Sequence, residues 1–193
     1  MNRRDFMATG LCAASGVFPF AALAHDADIK EYELPEEYLP REVRINNGFA
    51  PGEIHVDPGQ FALYWTLEDD KAIRYTVGIG RPGLYEAGEF YVGAKKKWPS
   101  WTPTPDMIGR EPEKYAQFAD GVPGGINNPL GARALYLFTP GRGDTYLRIH
   151  GTNNPRTIGK RVSNGCARLV NSQLVELYER VPLNTRVVLH PAD

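Results

Sequence analysis

The chain has 193 residues, of which 42% are apolar, and its 22 Lys and Arg against 23 Asp and Glu leave a formal net charge of −1. That balance speaks against a nucleic-acid binder, which needs a basic excess. The length and ordinary apolar content suit one domain with a true core.

The first residues read as an export signal. Arg3 and Arg4 precede Asp5-Phe6-Met7, an apolar Ala- and Gly-rich run from Ala8 to Leu23 follows, and Ala22-Leu23-Ala24 is a small-x-small cleavage pattern. The arginine pair resembles a twin-arginine signal; the alternative is an ordinary export signal with two arginines. Gly10, Gly16 and Pro19 interrupt the run, which is too short for a membrane-spanning helix of roughly 20 apolar residues. Cleavage after Ala24 would remove Arg3, Arg4 and Asp5 and move the charge from −1 to −2. The expected location is the periplasm. Of the two cysteines, Cys12 leaves with the signal, and Leu11 directly before it speaks against lipidation. Cys166 then remains without a disulfide partner, a liability in an oxidising compartment unless it is buried or used.

Residues 25–52 are polar and carry Pro35, Pro40 and Pro51, and read as a partly extended lead-in. The domain proper, residues 53–193, begins with strands over 54–56, 61–67 and 72–79, the last two joined as a hairpin by Glu68-Asp69-Asp70-Lys71. A strand follows over 89–94. Residues 95–131 form a long Pro-rich loop, of the kind that is usually functional or disordered. Trp98 and Trp101 within it argue against disorder; they are either core or a lid over a substrate groove. A short helix is expected over 111–119, with Pro112 in its first turn. Strands over 134–139 and 146–150 flank the turn Pro140-Gly141-Arg142-Gly143. Asn171 reads as a helix cap, and Leu174, Val175, Leu177, Tyr178 and Val181 recur at helical spacing before Pro182. A final strand spans 185–190. Short, regularly spaced strands predict a mostly β domain, a sandwich or barrel with one or two short helices.

The chemistry concentrates between Leu147 and Asn171. His150 ends a strand, and a loop rich in Asn, Pro and Gly leads to Ser163-Asn164-Gly165-Cys166, with Arg168 two residues on. A cysteine is nucleophilic as thiolate, which a nearby imidazole, cation or helix N-terminus favours. All three are within reach, so Cys166 is expected to be activated and to alkylate faster than a model thiol. The N–H groups of Gly165 and Cys166 are candidate oxyanion donors. His55 and His190 read as ordinary strand residues. No closely spaced ligand pair suggests zinc, and no cofactor is indicated.

His150-Gly151-Thr152, Ile158-Gly159, Ser163-x-Gly165-Cys166-x-Arg168 and Asn171 together resemble the signature of the L,D-transpeptidase catalytic domain, the YkuD family, in order and spacing. The likeness extends over roughly 53–193; Ala167 stands where the family usually has a β-branched residue. The resemblance implies a cysteine acyltransferase with no cofactor, acting on tetrapeptide stems of peptidoglycan. Cys166 would attack the carbonyl of the L-configured centre of a diamino acid and release the terminal D-alanine. The thioester would pass to an amine of a second stem or of an envelope protein. His150 would be the base, oriented by the Gly151 carbonyl. Arg168 would support the oxyanion or bind a substrate carboxylate, or simply brace the loop; Ser163 would join it at the substrate and oxyanion turn, or cap that turn. The expected state is a monomer. Two rival readings are a hydrolase trimming the same stems through the same thioester, and a wall-binding module with a vestigial site.

Overall fold

A computed structural model describes residues 26–46 and 48–192 of the chain. The expected export signal, residues 1–24, lies outside the described residues. Among these, the first strands are β1 (Arg41–Arg44), β2 (Ile54–Asp57), β3 (Ala62–Leu67), β4 (Lys71–Thr76), β5 (Ile79–Gly80) and β6 (Gly88–Lys97). Helices α1 (Pro105–Arg110) and α2 (Pro112–Tyr115) precede β7 (Arg133–Thr139), β8 (Gly143–His150), β9 (Arg161–Ser163) and β10 (Ala167–Arg168). Helix α3 (Asn171–Arg180) and β11 (Arg186–Leu189) complete the domain. The protein is mostly β, as its strand spacing predicts.

Nine strands make one sheet in the order β1-β4-β3-β2-β11-β6-β7-β8-β10, and β5 pairs with β9 separately. The β3–β4 hairpin forms where expected. Its turn uses Asp69 and Asp70 at φ of 60° and 54°, a left-handed conformation that Asp tolerates better than most residues. The sheet curls so that the continuation of β4 reaches β10. Gly78 and Arg168 form an antiparallel bridge, with N–H···O distances of 2.9 and 2.7 Å in the two directions. Alternate residues point inward along each strand. Ile54, Val56, Leu63, Trp65, Tyr75, Leu135, Leu137 and Ile149 thus meet Leu174, Leu177 and Tyr178 of α3 in one core. The last turn of α3 would leave carbonyls without partners. Lys95 of β6 reaches in and donates to the carbonyls of Tyr178 (2.6 Å) and Val181 (2.5 Å). β6 runs on through its three lysines, past residue 94, because Lys95, Lys96 and Lys97 continue the ladder with Leu135, Ala134 and Arg133 of β7.

Three features have no clear signal in the sequence. The lead-in is not separate from the sheet: β1 pairs with β4 as an edge strand, and its exposed, charged sequence Arg-Glu-Val-Arg carries no core pattern that would reveal it. Residues 95–131 hold the helix expected over 111–119, as α2 and a 3-10 turn at Ala116–Phe118, and also α1, which Thr104 caps by accepting from Met107 N (3.2 Å). The short strands β5, β9 and β10 have too few residues to show a period.

The chain's beginning is tied to its centre. Arg133, on β7, is almost wholly buried, and its guanidinium pairs with Asp26 while lying over the Tyr178 ring. A buried charge that loses its partner is costly. Asp26 is itself half-exposed, so the expected cost of Asp26→Asn is reduced to about 1 kcal/mol, a fall in Tm of roughly 2–4 °C that thermal melts would read.

Candidate active site

The site forms where two strands from distant parts of the chain run side by side. β10 pairs with β8 in parallel, with Ala167 opposite Ile149 and Arg168 opposite His150. Leu169 N–H extends the ladder to the His150 carbonyl at 3.0 Å. Ile149, Ala167 and Leu169 turn into the core, so His150 and Arg168 share the opposite face, and Cys166 lies at the entry to β10 alongside them. The connection 151–166 is held along its length. Ile158 is buried, Gly159 N–H donates to Val77 O at 3.2 Å, and β9 pairs with β5.

His150 is buried, 3% exposed, and its Nδ1 lies 2.5 Å from the Gly151 carbonyl. A carbonyl only accepts, so Nδ1 carries the hydrogen and Nε2 keeps a lone pair. Burial, and then the Arg168 charge, push the His150 pKa down to about 3. The imidazole is therefore neutral and able to accept a proton. Burial also pushes the Cys166 thiol up, against the opposing pull of a backbone contact at Arg148 and the charges of Arg168 and Arg148. Burial thus works against the thiolate that a nearby imidazole and cation would favour. Desolvation outweighs the cations, and the pair rests as neutral thiol and imidazole. The helix N-terminus does not adjoin the cysteine either, since β10 and residues 169–170 lie between Cys166 and α3.

The turn before the cysteine is built by Ser163 and Gly165. Ser163 is buried; its Oγ donates to the Cys166 carbonyl (2.6 Å) and accepts from Gly165 N–H (3.2 Å). Gly165 sits at φ +119°, and a Cβ there would lie 2.9 Å from the Leu84 carbonyl oxygen, so no other residue fits without strain. The Gly165 N–H offered by sequence as an oxyanion donor is thus engaged by Ser163, and Ser163 itself serves the turn. Arg168 is half-buried; its Nε is buried without a hydrogen-bond partner.

Asn171 is not the helix cap that its position suggests. It is the first residue of α3, and its Oδ1 accepts from Ala132 N–H (3.0 Å) and Thr152 N–H (3.2 Å). It pins the backbone just after His150, and a side chain on Gly151 would collide with it. Tyr146 is a residue that sequence reasoning passed over as a strand start. It adopts φ +63°, a strained value for a non-glycine, and its carbonyl lies 4.0 Å from Cys166 Sγ while its ring is 67% exposed. No sequence signal marks such strain.

The Pro-rich segment is ordered against this region. Trp101 packs edge-on against Tyr115 and Phe118. The Tyr115 hydroxyl accepts from Asn164 Nδ2 (2.7 Å), two residues before Cys166. Arg81 makes a two-pronged pair with Glu111 at 3.0 and 2.7 Å and also donates to Asn164 Oδ1 at 3.1 Å. Trp98 N–H instead bonds Ala132 O (2.8 Å), at the base of the segment. Trp101 is therefore tied to the Cys166 loop through Tyr115 and Asn164.

The model of the L,D-transpeptidase catalytic domain (YkuD) matches residues 51–189. A protein of Fuscovulum blasticum from the ATP synthase subunits region, ORF 5, which carries an L,D-transpeptidase name, is 36% identical, the match covering 97% of this chain and 96% of that one. "Probable L,D-transpeptidase YbiS" of Escherichia coli K12 is 44% identical over 77% of this chain and 47% of its own. The chain thus spans about half the length of that relative. A solved structure from Brucella melitensis, described as a probable carnitine operon oxidoreductase, is 44% identical with a TM-score of 0.55, covering 81% of this chain and 96% of that one. The Enterococcus faecium L,D-transpeptidase C442S mutant, at 18% identity and a TM-score of 0.51 over 73% of this chain and 50% of that one, shares the fold.

Two measurements follow from this geometry. Asn171→Ala strands two backbone N–H groups and is expected to cost about 2–3 kcal/mol, whereas Asn171→Asp keeps the acceptor and costs less; denaturant unfolding compares them. His150, with its folded pKa below the unfolded 6.5, contributes stability that is complete above pH 6.5 and is lost as pH falls towards 3. His150→Gln should remove that component, so the stability difference between variant and wild type should shrink or reverse on acidification. A parallel pH dependence of the two proteins would refute the buried neutral imidazole.

Proposed function

Because the chain belongs to the L,D-transpeptidase catalytic domain family, we propose that it forms peptide bonds to diamino acid residues of peptidoglycan stem peptides through a thioester on Cys166. The observation that supports this reading is the register of β8 and β10, with Arg168 opposite His150, Cys166 two residues before Arg168, and the buried His150 imidazole directing its Nδ1–H at Gly151 O.

The steps follow from the protonation states. A neutral thiol attacks a carbonyl only if its proton leaves as the C–S bond forms, and His150 Nε2 is the base that takes it. The carbonyl oxygen of the substrate becomes an oxyanion. With Gly165 N–H held by Ser163, the donors assigned to it are Cys166 N–H and the Arg168 guanidinium, whose unpaired Nε gains a partner. Collapse breaks the bond to the D-alanine nitrogen, which takes the proton from His150. The acceptor amine then attacks the thioester, gives its proton to His150, and the thiol is restored. The expected acyl acceptor is the side-chain amine of a second stem or a residue of an envelope protein. The domain layout, with cleavage after Ala24, residues 25–52 as lead-in and 53–193 as catalytic domain, belongs to the same proposal, as do twin-arginine export, action in the periplasm and a monomeric state.

The test uses the exported protein with tetrapeptide-stem peptidoglycan. Intact-protein mass spectrometry should catch an acyl adduct that disappears in Cys166→Ala, and muropeptide mass spectrometry should show stems linked between diamino acid residues. Loss of general-base assistance in His150→Ala should slow turnover by about 10²–10⁴-fold. Stems trimmed without linkage would replace the transpeptidase reading with a hydrolase acting through the same thioester. An adduct that survives Cys166→Ala would remove the nucleophile from Cys166.

A further inference from the structure

The far end of the sheet holds a cavity of 520 Å³ on its outer face, lined by Arg41, Arg44, Arg74, Tyr64, His55 and His190 among others. Its lining does not include Cys166, His150 or Arg168. The register places Arg41, Arg74, Tyr64 and His55 in one row across β1, β4, β3 and β2. Arg41 and Arg74 are therefore direct cross-strand partners. Two like charges in that relation destabilise a strand pair.

Nothing among the described residues neutralises them. Arg41 donates to the Glu37 carbonyl (3.1 Å), and Arg74 to Thr76 Oγ1 (3.0 Å) and the Gln60 carbonyl (3.2 Å). A guanidinium has five N–H donors, so both keep donors beyond these neutral contacts. Glu42, between Arg41 and Val43, pairs instead with Lys71. Asp57 is the acid among the described lining residues, and it accepts from Gly59 N–H, Gln60 N–H and the Gln60 side-chain amide. The floor is rigid. His55 bonds His190 through Nδ1 (3.1 Å) and Glu53 through Nε2 (3.1 Å), and Phe49 lies over its ring at 4.3 Å. The reading of His55 and His190 as ordinary strand residues misses this contact, because residues 55 and 190 meet only through the parallel pairing of β11 with β2.

We propose that this cavity binds a small ligand through an oxyanion, a carboxylate or a phosphate, clamped between the guanidiniums of Arg41 and Arg74, with the Tyr64 and Phe49 rings against its uncharged part. A guanidinium matches such a group with two parallel hydrogen bonds. The anion also removes the repulsion that the register builds in, and the cavity has the size of a small-molecule site. Binding would fasten β1, and with it the lead-in, to the sheet.

The experiment titrates the exported protein with inorganic phosphate and, separately, with glutarate, by calorimetry and thermal melts, with sodium chloride at matched ionic strength as the control. A saturable rise in Tm with phosphate alone, glutarate alone or both identifies the group recognised. Arg41→Gln and Arg74→Gln should each weaken that binding about tenfold, the loss of one charge-assisted contact. In low-salt buffer without either anion, Arg41→Gln should melt no lower than the wild type, because it removes a like-charge neighbour. The proposal is overturned if neither anion exceeds chloride, or if both variants respond as the wild type does. It is also overturned if Arg41→Gln melts lower in every buffer with the anion response intact, since the arginines would then be structural.

Discussion

The parallel pairing of β8 with β10 is the contact on which the site depends. Parallel neighbours cannot be joined by a tight turn, so the chain must leave β8 at His150, travel, and return beside its own starting strand. The journey ends at Cys166, which enters β10 two residues before Arg168, the register partner of His150. The register is enforced from both sides. Leu169 N–H bonds the His150 carbonyl, and Gly78 brackets Arg168 with two backbone hydrogen bonds. Core side chains at Ile149, Ala167 and Leu169 make a one-residue slip costly, because a slip would turn Cys166 and Arg168 inward and expose apolar groups.

Around that pairing the molecule spends buried polar groups on position. Asn171 holds the backbone after His150, Ser163 closes the turn into Cys166, and the Gly151 carbonyl fixes the imidazole. Each replaces a contact with water by one short bond in a low-dielectric surrounding, where an unmade bond would be expensive. The same desolvation sets the electrostatics. It holds His150 neutral and the thiol protonated even with Arg168 and Arg148 nearby.

The Pro-rich segment acquires order from its ends. Its own helices are short, but Trp101, Tyr115 and Phe118 form an aromatic cluster, and Arg81, Glu111 and Asn164 fasten it to the Cys166 loop. Glu111 is depressed in pKa by the Arg81 contact, so the tether keeps its charge at ordinary pH. At the opposite end of the sheet, β1 is held by cross-strand bonds that include an Arg41–Arg74 pair, a repulsive element within an otherwise mutually supportive fold.

The sequence by itself determined the local features. Alternating apolar residues marked β2, β3, β4, β7 and β8, helical spacing marked α3, and the run from His150 to Arg168 marked the candidate site, because these signals live in residues close together in the chain. It also named the Gly151 carbonyl, through family resemblance. Only the tertiary structure decided the rest. Strands β5, β9 and β10 exist because a partner is there to pair with them, not because two or three residues prefer extension. Asn171 reads as a cap locally, yet it receives N–H groups from residues 132 and 152, which no local rule foretells. The Cys166 thiol is pushed towards its neutral form because burial is a property of the whole packed domain, and desolvation outweighs the neighbouring cations.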